Sequence, residues 1–269
     1  MTNGQDNDSL KYDFQKCCGP NGIPQRRIAE KVNELMAQRD YPAVERLLRY
    51  WREEAKALQD LQGELMVVNE LIGHYRKTGE KAPAMDAVQS AISLIGQLSY
   101  HDTVSEATVY VNIATCLHAF SDYQSALSYF ERARAIYDRR SDVSAELKSG
   151  LLNNMGLTLA ALGRHAEAQK AYQDALSTLR FVSASNPEQA ITWLNMADDF
   201  ALREEPESSE KKIFECLDRA EALLEQPGDV EPGYLAYVFE HCAPTFEYFG
   251  YFDTAARLRK KAEDLYERP

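Results

Sequence analysis

The stretch GLLNNMGLTLAALGRHAEAQKAYQDALSTL, from Gly150 to Leu179, constrains this chain more than any other part of it. Leu152, Gly156 and Leu159 stand at i, i+4 and i+7, Gly163 interrupts, and Ala168, Tyr172 and Ala175 repeat the spacing. Residues so placed share one face of a helix. The stretch therefore predicts two amphipathic helices joined by a glycine turn, with small side chains where the backbones come close. The pattern recurs: Ala126, Phe130 and Ala133 lie 42 residues before Ala168, Tyr172 and Ala175, and Ala114 takes the place of Gly156. A second step of that length reaches Ala84, Val88 and Ala91, preceded by Gly79 where Gly163 sits. Downstream by 87 residues, Ala243, Gly250, Ala255 and Ala262 fall in the matching places, leaving room for one longer copy between. TWLNMADDFALRE and KKIFECLDRAEALL supply it, with an acidic loop from Glu204 to Glu210, containing Pro206, lengthening the turn. At the front, RIAEKVNELMAQRDYPAVERLLRYWREEAKAL has the same shape, and its Asp40-Tyr41 matches Asp122-Tyr123. Six hairpins are expected.

The central hairpin resembles one tetratricopeptide repeat. The hallmark of that repeat is a bulky residue, an apolar-plus-small pair and an aromatic in the first helix, then Ala-x-x-x-aromatic in the second. Leu152, Met155-Gly156 and Leu159 stand for the first set, and Ala168 with Tyr172 for the second; the usual Trp, first-helix Tyr and closing Pro are missing. A repeat of 42 residues, against the usual of about 34, adds roughly one helical turn to each helix. The longer form is similar to the repeats of kinesin light chains and of the mitotic-orientation adaptor family. The resemblance implies an all-α fold: a right-handed superhelix of about six antiparallel helical hairpins, a solenoid over 25–269 whose first helices line the concave side. The charged outer face of DTAARLRKKAEDLYERP would close it as a cap.

Residues 1–24 hold Gly4, Gly19, Gly22, Pro20 and Pro24 without helical period, and are expected to form a flexible or loosely docked tail. The 269 residues, 45% hydrophobic and 27% charged, suffice for a large core in one domain. No apolar run approaches the ~20 residues of a membrane span. The polar MTNGQDNDSLKYDF does not read as a secretory signal, so the cytoplasm is expected. Cys17, Cys18, Cys116, Cys216 and Cys242 show no regular framework, so reduced thiols are expected. A net charge of −12 disfavours nucleic acid, whose phosphates would be repelled, and suits a basic or neutral polypeptide partner.

On the central first helix, packing through Leu152, Met155, Gly156 and Leu159 turns Asn153, Asn154 and Leu157 toward the groove. Asn112 matches Asn154 by the repeat, Asn195 matches it after a slip of one residue, and Asn69 matches Asn153. A carboxamide donates and accepts together, so a row of them can bind the backbone of an extended peptide without reading its sequence. An asparagine ladder does this in the families resembled. The same residues could instead tie neighbouring helices together or face water. Flanking residues would give specificity: Glu70, Arg76 and Lys77 toward one end, His118 in the middle, and Asp198, Tyr237, Glu240, His241, Glu247 and Tyr248 toward the other. Pro244 falls inside an expected helix, where it costs about 3 kcal/mol and bends the axis.

No phosphate-binding or nucleophile-elbow motif is present, and no histidine pair has metal-ligand spacing, so no cofactor, metal or catalytic activity is expected. The sequence thus points to an interaction module or scaffold holding an extended peptide segment in its groove. The alternative is a peptide-responsive regulatory protein whose superhelix changes compaction on binding. The identity of the partner and the oligomeric state are not encoded in these patterns.

Overall fold

The computed structural model describes residues 22–98, 100–203 and 206–266. The tail expected over 1–24 lies outside the described residues except for its last three, as do Cys17 and Cys18. The described residues form twelve helices and no strand. They are α1 (Gln25–Ala37), α2 (Tyr41–Ala57), α3 (Leu61–Thr78), α4 (Lys81–Leu98), α5 (Val104–Ala119), α6 (Tyr123–Arg139), α7 (Ala145–Ala161), α8 (His165–Leu179), α9 (Asn186–Ala201), α10 (Pro206–Glu225), α11 (Pro232–Tyr248) and α12 (Phe252–Tyr266). Paired in order they are the six expected hairpins. Each odd-numbered helix is a first helix.

Six turns share one backbone solution. The N–H of Asp40, Asp60, Glu80, Asp122, Arg164 and Tyr251 each donates to the carbonyl five residues back, at 2.8–3.0 Å. The residue before each has positive φ: Arg39, Gln59, Gly79, Ser121, Gly163 and Gly250. This is the left-handed helix stop that satisfies a terminal carbonyl otherwise left without a donor. Asp40, Asp60 and Asp122 then cap the following helix, their carboxylates accepting from the N–H of Ala43, Gly63 and Ser125. Asp60 also accepts the N–H of Ile23 at 2.9 Å. Ile23 is buried, and a Cβ on Gly63 would lie 2.6 Å from its Cγ1, so Gly63 makes room for it. The α9–α10 turn is built otherwise. Pro206 opens α10, so most of the acidic stretch expected to be loop belongs to a helix; proline fits there because a first-turn N–H has no helical partner to lose.

The chain divides between Ser141 and Asp142 into two compact units. In the first, α3 packs on α4 and on α5, and α5 on α6; in the second, α7 packs on α8 and α9, α9 on α10 and α11, and α11 on α12. Small residues at the repeat positions make these contacts. Ala84, Ala91, Ala114, Ala126, Ala133, Ala168, Ala175 and Ala243 are fully buried, as are Phe130 and Tyr172. Burying one such ring stabilises the fold by about 1.5–3 kcal/mol. Helix α11 runs through Pro244 without ending.

Candidate functional site

The first helices carry the candidate residues, and each unit presents its own set. In the first unit the Asn112 Nδ2 donates to Asn69 Oδ1 at 2.9 Å, linking α5 to α3. Asn69 is buried and Asn112 half-buried. Arg76, half-buried, and Lys77, exposed, occupy the last turn of α3, where cations suit the helix dipole. His118 is half-buried in the last turn of α5, its ring edge-on to Tyr123 at 5.1 Å, and burial pulls its pKa down.

In the second unit Asn153 on α7 donates to Thr192 Oγ1 on α9 at 2.8 Å, and accepts from Asn195 Nδ2 at 3.5 Å, the outer limit of a hydrogen bond. Asn195 therefore lies one full repeat from Asn153, and the slip needed to match it to Asn154 disappears. Asn154 is also buried, and its carboxamide makes no hydrogen bond to the described residues. The asparagines are thus ordered as two bridging pairs, Asn69 with Asn112 and Asn153 with Asn195. Each pair spans adjacent hairpins.

Asp198 stands half-buried on α9, and burial pushes its carboxyl up to about 6. On α11 the rings of Tyr234, Tyr237 and His241 form a column, with centroids 6.4 and 5.7 Å apart and planes 25° and 14° from parallel. The Tyr234 hydroxyl is hydrogen-bonded to Glu188 of α9. Neither Tyr234 nor Glu188 stood out in the sequence, although Tyr234-x-x-Tyr237 has the i, i+3 spacing of a helix face.

Asp199, one residue on, was also missed. It is 1% exposed and accepts from Gln169 Nε2 at 2.6 Å and Arg203 Nη2 at 2.7 Å, with His165 Nδ1 at 2.8 Å. This carboxylate joins α8 to α9 and is structural. Its neighbour Tyr172 is fully buried with a hydroxyl that finds no partner among the described residues. Cys116, Cys216 and Cys242 are buried, and burial raises their thiols to about 11, 12 and 12, which makes them poor nucleophiles. Among the described residues no group of three or more His, Cys, Asp or Glu could hold a metal ion, and no helix is long and apolar enough to cross a membrane.

Residues 148–226 match the family model of the tetratricopeptide repeat. No curated protein matches the chain. Among solved structures, the nearly identical TPR-like repeats of a putative kinesin light chain from Podosopora anserina align over 75% of this chain and 94% of that one, at TM-score 0.63 and 15% identity. A Rap protein complexed with Competence and Sporulation Factor aligns over 91% of this chain and 64% of that one, at TM-score 0.57 and 13% identity. NprR in complex with its cognate peptide NprX aligns over 94% and 70%, at TM-score 0.53 and 16% identity. The identities are low enough that these likenesses speak for the fold alone. Repeat spacing, shared turns and the match over residues 148–226 lead to one conclusion: that segment is tetratricopeptide repeat, and the described residues have an all-α helical-repeat fold similar to that of the kinesin light chain repeats.

Proposed function

We propose that the chain is a non-catalytic interaction module that holds an extended segment of a protein or peptide partner along its first helices. Asn154, buried on α7 with a carboxamide that makes no hydrogen bond to a described residue, is the observation that supports this reading most. A primary amide offers two N–H donors and an acceptor oxygen. The Asn69–Asn112 bond uses one donor of Asn112 and part of the acceptor of Asn69, so each keeps capacity for a further bond. Asn153 keeps one N–H after its bonds to Thr192 and Asn195, and Asn154 keeps its whole amide. Within each unit, a strand laid across that unit's amides would find donors and acceptors together, which is backbone recognition. In the first unit Arg76, Lys77 and His118 would flank such a strand; in the second, Asp198, Tyr237 and His241 would. Two proteins of this fold are solved in complex with Competence and Sporulation Factor and with a cognate peptide, which supports a protein or peptide ligand here.

Binding of a labelled random peptide library to the wild type and to N112A, N154A and N195A tests the reading. Weaker binding by the variants, with melting temperatures close to wild type, is expected. Equal binding by all four proteins would overturn it. Because Asn112 and Asn195 also tie helices, N154A is the decisive variant.

A further inference from the structure

Helix α11 packs on α9, and two kinds of contact fix their register. Tyr234 is bonded to Glu188, and the fully buried small residues are Ala190 and Ala197 on α9, Ala236 and Ala243 on α11. Each of these three pairs is 46 residues apart, so a residue of α9 lies beside the residue of α11 that follows it by 46. Asn195 therefore stands beside His241, and Leu202 beside Tyr248. Tyr234, Tyr237, His241, Pro244 and Tyr248, at i, i+3, i+7, i+10 and i+14, share one stripe of α11 on the side away from the buried alanines. The stripe continues the face on which α9 carries Asn195. Tyr234, Tyr237 and His241 are half-buried, Pro244 is exposed, Tyr248 is 78% exposed, and the adjoining Leu202 is 57% exposed. No carboxylate, ammonium or guanidinium lies on it. The nearby acids of α11, Glu240 and Glu247, stand off the stripe and are engaged by Tyr266 and Arg259.

The stacking of Tyr234, Tyr237 and His241 decides what such a surface attracts. A ring inside a stack has its faces covered by its neighbours and presents its edge, which carries the positive rim of the quadrupole. That rim offers a cation none of the attraction a ring face gives, and no acid on the stripe makes up for it. An anion would meet Glu188 and Asp198 of α9. Apolar surface is what remains favourable, since packing it on the rings, Pro244 and Leu202 removes hydrocarbon from water. A second copy of the chain fits poorly. A whole aromatic side chain buries about 150–250 Å², so a stripe of which three residues are already half-buried falls short of the roughly 800 Å² per partner of a stable interface. A peptide needs no such area. A strand crossing α7 and α9 at their amides would reach α11 about three residues further on, because packed helix axes lie about 8–10 Å apart and a strand advances about 3.3 Å per residue. We propose that the α11 stripe is the specificity-determining surface for uncharged apolar side chains, leucine or phenylalanine, on the segment held by Asn154 and Asn195. The proposal rests on the peptide-holding reading above and names the chemistry of the partner where it meets α11.

Fluorescence anisotropy with a positional-scanning library of labelled decapeptides tests it, each position carrying leucine, phenylalanine, serine, glutamate or lysine. For the wild type, at one position leucine or phenylalanine should bind at least about tenfold tighter than serine, glutamate or lysine, the size expected when roughly 60 Å² of additional apolar surface leaves water. Tyr248→Ser, at an exposed place, should cut that preference about threefold or more with the melting temperature unchanged, and Tyr237→Ser should cut it further. Asn154→Ala should weaken all the peptides alike and leave the preference standing. A preference for lysine or glutamate, no preference in the wild type, or one that neither tyrosine variant alters would overturn the proposal. So would a dimer in sedimentation that Tyr248→Ser dissociates, the stripe then being a contact between copies. Peptides that bind through Asn154 without an apolar preference would leave the peptide-holding reading intact and overturn this inference alone. A library in which nothing binds would overturn both.

Discussion

The third hairpin, α5 with α6, and the fourth, α7 with α8, are one repeat apart and solve the same packing problem with different atoms. Where the third has Ala114 and Phe130, the fourth has Gly156 facing Tyr172, and all four positions are closed to solvent. A Cβ built on Gly156 would lie 2.3 Å from Cε1 of Tyr172, so that glycine is there for space, not for backbone freedom. At the turn the roles invert. Gly163, with φ +73, holds the left-handed position in the fourth hairpin without strain, and Ser121, with φ 64, holds it in the third at a cost. His118 of the third hairpin corresponds to Ala160 of the fourth. Repeat spacing is therefore conserved more faithfully than repeat chemistry, and each copy balances its own volume and strain.

The comparison can be broken most forcefully at Gly156. Gly156→Ala should lower stability by about 2 kcal/mol, since overpacking outweighs the helix propensity gained, whereas Ala114→Gly should lose only about 1 kcal/mol. Chemical denaturation of both variants checks this, and Tyr172→Leu should rescue G156A in a double-mutant cycle. Exchanging the turn residues should give opposite signs. Ser121→Gly should gain about 1 kcal/mol and Gly163→Ser should lose about as much, read by the same denaturation. Tyr172→Phe, which gives the fourth hairpin the ring of the third and removes a buried hydroxyl without a partner among the described residues, should stabilise by about 1 kcal/mol. The smallest effect is with pH. Burial lowers the pKa of His118, so the unfolded chain takes up a proton before the folded one does. The stability His118 permits is complete above its ordinary pKa of about 6.5 and is lost as pH falls toward the folded value. Hydrogen exchange should show α5 and α6 loosening more than α7 and α8 between pH 7.5 and 5.5, and His118→Gln should remove the difference.

Much of the fold was legible because Ala-x-x-x-aromatic spacing with glycine turns has few physical solutions. Ala126, Phe130, Ala168 and Tyr172 pack where periodicity puts them. The turns at Arg39, Gln59 and Ser121 were hidden, since nothing in those side chains announces a left-handed backbone; the closing hydrogen bond enforces it. Helix α10 starts earlier than the acidic run suggested, because proline is a poor interior residue and a good first one. For the candidate site, periodicity placed Asn69, Asn112, Asn153 and Asn195 on first helices but did not say which amides would meet. That depends on offsets of one residue, each worth ~100° around a helix. Asp198 and Asp199 illustrate the limit. Two neighbouring carboxylates are indistinguishable in a string of letters, and only the arrival of Gln169 and Arg203 separates the enclosed one from the other.

The recurring turn has a consequence for how such a chain can change over time. Its geometry resides in a main-chain bond and a local twist that arginine, glutamine, serine and glycine all adopt, so no particular letter guards the joint. A whole helical pair can be duplicated or deleted as a cassette and still meet its neighbours at the right pitch. Lineages of this architecture are free to lengthen, shorten and diversify their surfaces without relearning how to fold.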